Sequence, residues 1–75
     1  MPHVLIKLQS GRTHQEKTKL AQLVTKAVME GASIGEDAVS VAIEDIAANA
    51  WTETVYKPDI LNNDHLYKKP GYDPL

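Results

Sequence analysis

Apolar and polar positions alternate from the start of the chain. Val4, Ile6 and Leu8 are interleaved with His3, Leu5 and Lys7, the period of two that marks a strand with one buried face. The pattern predicts a strand over His3–Leu8 that begins almost at the first residue, pinning the start of the chain into a sheet. Ser10-Gly11-Arg12 reads as a short turn. Thr13-His14-Gln15-Glu16 then fits a capping box, in which the threonine hydroxyl and the glutamate carboxylate satisfy free amides of a first helical turn. Leu20, Leu23, Val24, Ala27 and Val28 recur at helical spacing and make one apolar stripe. With Gly31 as a left-handed stop, the expected helix covers about residues 14–30. A polar connection, Ser33–Ala38 with Gly35, leads to the β-branched run Val39–Ile46, which reads as a second strand.

Strand, helix and strand in this order make a βαβ unit, with parallel strands and a right-handed crossover. The fold class is therefore α/β. Residues 47–75 carry weaker signals: Asn49 or Thr52 as cap of a short helical turn through Val55, and Pro58 at a first helical position. Ile60, Leu61 and Leu66 would form the inner face of that second helix, a C-terminal extension ending before Pro70-Gly71.

The chain has 75 residues, which reads as one domain, 1–75. A chain this short buries only roughly 60% of the surface its unfolded form exposes. It has no cysteine, so neither disulfides nor thiolate metal sites can staple it. Two strands and one helix leave a sheet face and both edges uncovered, and packing against further copies is the remaining common remedy. A homo-oligomer is expected on these grounds.

Charge narrows the function classes. The formal net charge is −2, and Lys17, Lys19 and Lys26 share their helix with Glu16 and Glu30, so there is no concentrated basic surface for nucleic acid. No apolar run approaches the ~20 residues of a membrane span, and no basic region followed by an apolar stretch marks a signal peptide. A cytoplasmic protein is the default. His3, His14 and His65 lack metal-ligand spacing, Gly11 and Gly35 do not make a phosphate loop, and no serine is flanked by a base suited to nucleophilic attack.

Three positions remain for chemistry. Pro2 becomes the terminal residue once Met1 is removed, and its secondary amine then stands at the head of a strand. Desolvation in an apolar pocket lowers the pKa of such an amine, giving the near-neutral base that proton transfer beside a carbonyl requires. Arg12, in the turn before the helix, can grip a carboxylate with its planar fork, next to helix amides that also favour anions; otherwise it is a solvated turn arginine. Trp51, the only tryptophan, follows the second strand as either an apolar pocket wall or an ordinary core or interface anchor.

Met1-Pro2 before an alternating strand, Gly11-Arg12-Thr13 with Gln15-Glu16-Lys17, and the Val39–Ile46 strand together resemble the 4-oxalocrotonate tautomerase family. The register runs without gaps from Pro2 to about Trp51. The resemblance implies Pro2 as catalytic base, Arg12 as carboxylate ligand and Trp51 as the aromatic wall. Ser40 stands where the prototype has a second arginine; it keeps one hydrogen bond but no charge, which weighs against dicarboxylate substrates. Losing an electrophilic hydrogen bond of that kind lowers the rate on the order of 10²-fold. Trp51 and the tail Lys68-Lys69-Pro70-Gly71-Tyr72 are similar to a short bacterial branch whose members are dimers and accept enolpyruvates such as phenylenolpyruvate.

The expected assembly is accordingly a homodimer, with two copies forming a four-stranded sheet backed by two helices; a homohexamer is the alternative. The expected function is enol–keto isomerisation of a small 2-hydroxydienoate or enolpyruvate-type acid, with no cofactor and no metal. Two alternatives share the fold. One is hydratase, dehalogenase or decarboxylase chemistry through a protonated Pro2; the other is a non-catalytic oligomeric binding protein.

Overall fold

The computed structural model describes residues 1–75. Strand β1 (His3–Gln9) is followed by helix α1 (His14–Ala32), a 3-10 turn (Glu36–Ala38) and strand β2 (Ser40–Ile46). The strands are parallel and in continuous register from His3 beside Ser40 to Gln9 beside Ile46. The βαβ unit read from the sequence is thus present, and the two strands are the whole sheet. Beyond it lie a 3-10 turn (Ala48–Ala50) and a widened helix (Thr52–Leu61).

The start of α1 follows the sequence closely. The Glu16 amide donates to Thr13 Oγ1 at 3.0 Å and the Thr13 amide donates to Glu16 Oε1 at 2.9 Å, closing the capping box. These bonds hold the Glu16 carboxyl below its ordinary pKa. Just before the cap, Gly11 adopts φ +127°, a backbone region that side chains resist. That glycine lets the chain turn sharply between β1 and α1 and presents Arg12 at the end of the strand.

The end of α1 differs from expectation. Gly31 stays helical, which is tolerated at about 1 kcal/mol relative to alanine, and the left-handed residue is Ser33, at φ 55°. The amides of Ser33 and Ile34 both reach back to the Met29 carbonyl, so the end is closed by backbone bonds and needs no glycine. Strand β2 starts at Ser40 instead of Val39, because the Val39 amide closes the preceding turn onto the Glu36 carbonyl at 3.0 Å.

The second helix departs further. The expected short turn through Val55 and the helix expected from Pro58 are one element, Thr52–Leu61; neither Asn49 nor Thr52 caps it, and Trp51 occupies the capping position without a side-chain bond. Pro58 lies inside the helix, where it has no amide hydrogen to donate and its ring crowds the carbonyl four residues back. The helix accommodates it by widening to π-type turns, with the Asn62 amide bonded to the Lys57 carbonyl five residues back. It stops at Leu61 because Asn63 takes over the backbone: its amide group donates to the Asp59 carbonyl and its Oδ1 accepts from the His65 amide. Leu66 is outside any regular element.

The register sorts the sheet into two faces. Val4, Ile6 and Leu8 share one face with Val41, Ile43 and Asp45, and α1 lies over it, with Lys17 Nζ 2.8 Å from Asp45 Oδ2. The opposite face carries His3, Leu5, Lys7 and Gln9; Lys7 there pairs with Asp59 of the π-helix. Only Val55 and Tyr56 are buried in the whole chain, while Leu5 and Leu23 remain about half exposed, at 48% and 53%. Such a core leaves apolar surface on both sides of the sheet. No helix is long and apolar enough to cross a membrane.

Candidate active site

The four residues singled out in the sequence fall into two groups at opposite ends of the parallel strands. Pro2 and Ser40 are together at the strand starts, where the Ser40 amide donates to the Pro2 carbonyl at 3.3 Å. This bond fixes the chain start to its neighbour. The Ser40 hydroxyl lies 2.6 Å from His3 Nδ1. His3 is a polar neighbour of this pair that the sequence did not reveal. Its alternation in β1 was visible, but its partner depends on a register that only the folded crossover sets.

Arg12 and Trp51 are together at the strand ends. They line an open cavity of ≈540 Å³ with Lys7, Gln9, Thr52 and Tyr72. None of the chain's three ion pairs involves Arg12, whose charge reaches the Glu16 carboxylate only at longer range. Lys7, by contrast, is committed to Asp59, and that bond raises its pKa. Two cations therefore border the cavity, and one is free to take an anion.

Tyr72 comes from the irregular tail. Trp51 Nε1 donates to its hydroxyl at 2.9 Å, and its ring sits 5.8 Å from that of Tyr56, tilted by 45°, a normal spacing for an attractive aromatic pair. Nothing in sequence periodicity pointed to Tyr72, because the contact is made across 21 residues of chain. Burial raises the pKa of the Tyr56 phenol, with a smaller push from Asp73.

Between the two groups runs β1, seven residues long, or roughly 23 Å at ~3.3 Å per residue. Pro2 and Arg12 of one chain lie on either side of it. That span exceeds the reach of an arginine side chain and a small enol acid combined.

The titrating contacts make stability depend on pH at both extremes. Lys7 has a raised pKa in the fold, so its stabilisation is present below the unfolded value and lost as pH rises through the folded one. Tyr56 keeps its proton in the fold, whereas the unfolded chain releases it near pH ~10; ionisation thus favours unfolding in the same alkaline window. Glu16 acts oppositely, its contribution fading as pH falls through its depressed pKa. The thermal midpoint should be level around neutrality and fall above pH ~10. A midpoint at pH 11 equal to that at pH 8 would contradict the Lys7 and Tyr56 assignments.

Comparison with known proteins agrees with this architecture. The family model described as tautomerase enzyme matches residues 2–54. A probable tautomerase of Xylella fastidiosa is 38% identical over 76 residues, spanning 100% of this chain and 93% of that protein. Tautomerase PptA of Klebsiella pneumoniae is 38% identical over 74 residues, 96% of this chain and 97% of its own. A solved structure from work on the 4-oxalocrotonate tautomerase isozymes of Methylibium petroleiphilum superposes with a TM-score of 0.65 at 34% identity, covering 67% of this chain and 81% of that one. The chain belongs to the 4-oxalocrotonate tautomerase family and is an isomerase of the tautomerase type.

Proposed function

We propose that the protein ketonises a small enol carboxylic acid of the enolpyruvate type at a site shared between two copies of the chain. Pro2 of one copy is the base, and Arg12 and Trp51 of the other hold the substrate. The observation that carries this reading is the separation of the two groups along β1, each incomplete without the other. A two-fold arrangement brings the strand start of one copy to the strand end of its mate. It also offers cover for Leu23 on α1, and a homodimer with a four-stranded sheet backed by two helices satisfies both needs.

In this mechanism the neutral Pro2 nitrogen takes the proton of the 2-hydroxyl. The electron pair of that O–H bond becomes the carbonyl, and the C=C pair takes up a proton at carbon from the resulting prolinium. One group serves as base and then acid, so no cofactor takes part. Ser40 supports the developing oxyanion. When His3 Nδ1 carries the ring proton, Ser40 Oγ accepts it and keeps its own hydroxyl hydrogen for the substrate oxygen. Arg12 supplies the charge for the carboxylate, and Trp51 makes the wall that keeps water from the base.

The direct test is turnover of phenylenolpyruvate by protein lacking Met1. Arg12→Ala should mainly raise KM, by roughly 10- to 100-fold, as expected for losing a charged hydrogen bond. Unchanged kinetics toward every enol acid that the protein turns over would remove Arg12 from the site.

A further inference from the structure

Tyr72 lies beyond residues 2–54, the part matched by the family model, yet it lines the same cavity as Arg12. Its surroundings settle what its hydroxyl can do. An indole nitrogen is a donor only, so in the 2.9 Å bond between Trp51 Nε1 and Tyr72 Oη the tyrosine oxygen must accept. One lone pair is thereby used and the hydroxyl hydrogen is not. No side-chain or backbone acceptor in the chain takes it. The bond from Trp51 also polarises the phenol and makes its O–H a better donor. The ring packs against Tyr56 on one side, while Tyr72 itself stays about half exposed, at 48%, so its hydroxyl is open to a ligand.

We propose that Tyr72 is a substrate-binding residue whose hydroxyl donates to the carboxylate held by Arg12. The tail that carries it thus forms one wall of the site. This inference rests on the reading that Arg12 anchors the substrate's carboxylate. It gives the cavity two donors of different kinds: a guanidinium that supplies charge, and an uncharged hydroxyl oriented by Trp51. Ser40 brings no charge to the opposite end of the site, so the carboxylate end carries a larger share of substrate recognition. The ligand class is a monocarboxylate with an apolar body, the acid directed to Arg12 and Tyr72 and the body lying against Trp51.

The test uses the full chain without Met1 and the variants Tyr72→Phe and Arg12→Ala. Tyr72→Phe keeps the ring against Tyr56 and removes only the oxygen. The probe is 3-phenylpropanoate, which cannot tautomerise, and Trp51 reports binding by fluorescence because it is the only tryptophan. Tyr72→Phe should weaken the probe about tenfold, the loss of a hydrogen bond to a charged acceptor. For phenylenolpyruvate it should raise KM by a similar factor and leave kcat within about twofold. The neutral 3-phenylpropanamide should lose much less, since its acceptor is uncharged. Unchanged affinity and KM in Tyr72→Phe would overturn the proposal, as would an equal loss for acid and amide, which marks a packing defect. If Arg12→Ala weakens the probe while Tyr72→Phe does not, the Arg12 reading stands and Tyr72 alone is discarded. If Tyr72→Phe weakens it while Arg12→Ala does not, Tyr72 is the carboxylate donor and the Arg12 assignment fails. Unchanged binding in both removes the anion site altogether.

Discussion

Protein freed of Met1 should ketonise phenylenolpyruvate at a rate that rises with pH through the pKa of Pro2 and then levels, and protein that keeps Met1 should be inactive. The reason is the chemistry of one nitrogen. While Met1 is attached, the Pro2 nitrogen belongs to a tertiary amide and has no basic lone pair. Once Met1 is removed it becomes a secondary amine. Met1 is fully exposed, so the bond to be cut is not sheltered by the fold. Pro2 itself is half-buried and bonded through its carbonyl to the Ser40 amide, so the amine is held in place. Apolar surroundings in an assembled site disfavour the ammonium and bring its pKa towards neutrality. Pro2→Ala leaves a primary amine on a less constrained residue. Some activity should survive, reduced by about 10²-fold or more, the usual scale of general-base effects. The comparison requires single batches of each form, checked by intact mass. Equal rates for the Met1-capped and processed forms would show that Pro2 is not the base. A rate that falls as pH rises through this pKa would favour a protonated proline, and with it hydration or decarboxylation chemistry over tautomerisation.

How much of this was legible before the structure depends on the range of the interactions involved. The capping box at Thr13 and Glu16 is a contact across three residues, and it appears as read. The alternation of Val4, Ile6 and Leu8 marks the face of β1 that α1 covers, because side-chain direction in a strand follows from sequence parity alone. Gly31 does not end α1, because a helix end is chosen by where the chain must leave, and backbone bonds to Met29 allow Ser33 to serve. Pro58 departs from the expected first helical position for a related reason. Proline favours a first turn in general, but here the helix had already begun at Thr52 and widened around it. The candidate site residues follow the same rule. Pro2, Arg12, Ser40 and Trp51 could be picked out by residue type and resemblance, whereas the His3–Ser40 and Trp51–Tyr72 bonds span 37 and 21 positions. Contacts of that separation leave no periodic trace. The division of the four residues between two ends of the sheet became visible only with the parallel register.

That division leads to an expected rescue: a mixture of two crippled chains should recover activity that neither has alone. In a two-fold dimer each site takes Pro2 from one copy and Arg12 from the other. A dimer of one Pro2→Ala chain and one Arg12→Ala chain then contains one doubly damaged site and one site with both native residues. Random pairing makes half of all dimers mixed, and each mixed dimer has one intact site of two, so about a quarter of native activity should return. The parents, measured at subsaturating substrate, should each fall roughly 10- to 100-fold or more below the native protein. The rescue does not depend on how large each single defect is, only on which chain supplies which residue. Seven paired residues hold β1 rigid against β2, so Pro2 and Arg12 of one chain cannot approach each other by local adjustment. The chain should sediment as a dimer, and mixed dimers can be counted by native mass after co-refolding. Mixed dimers that form in the expected proportion yet show only the average of the parental activities would place the whole site within one chain and defeat the shared-site reading.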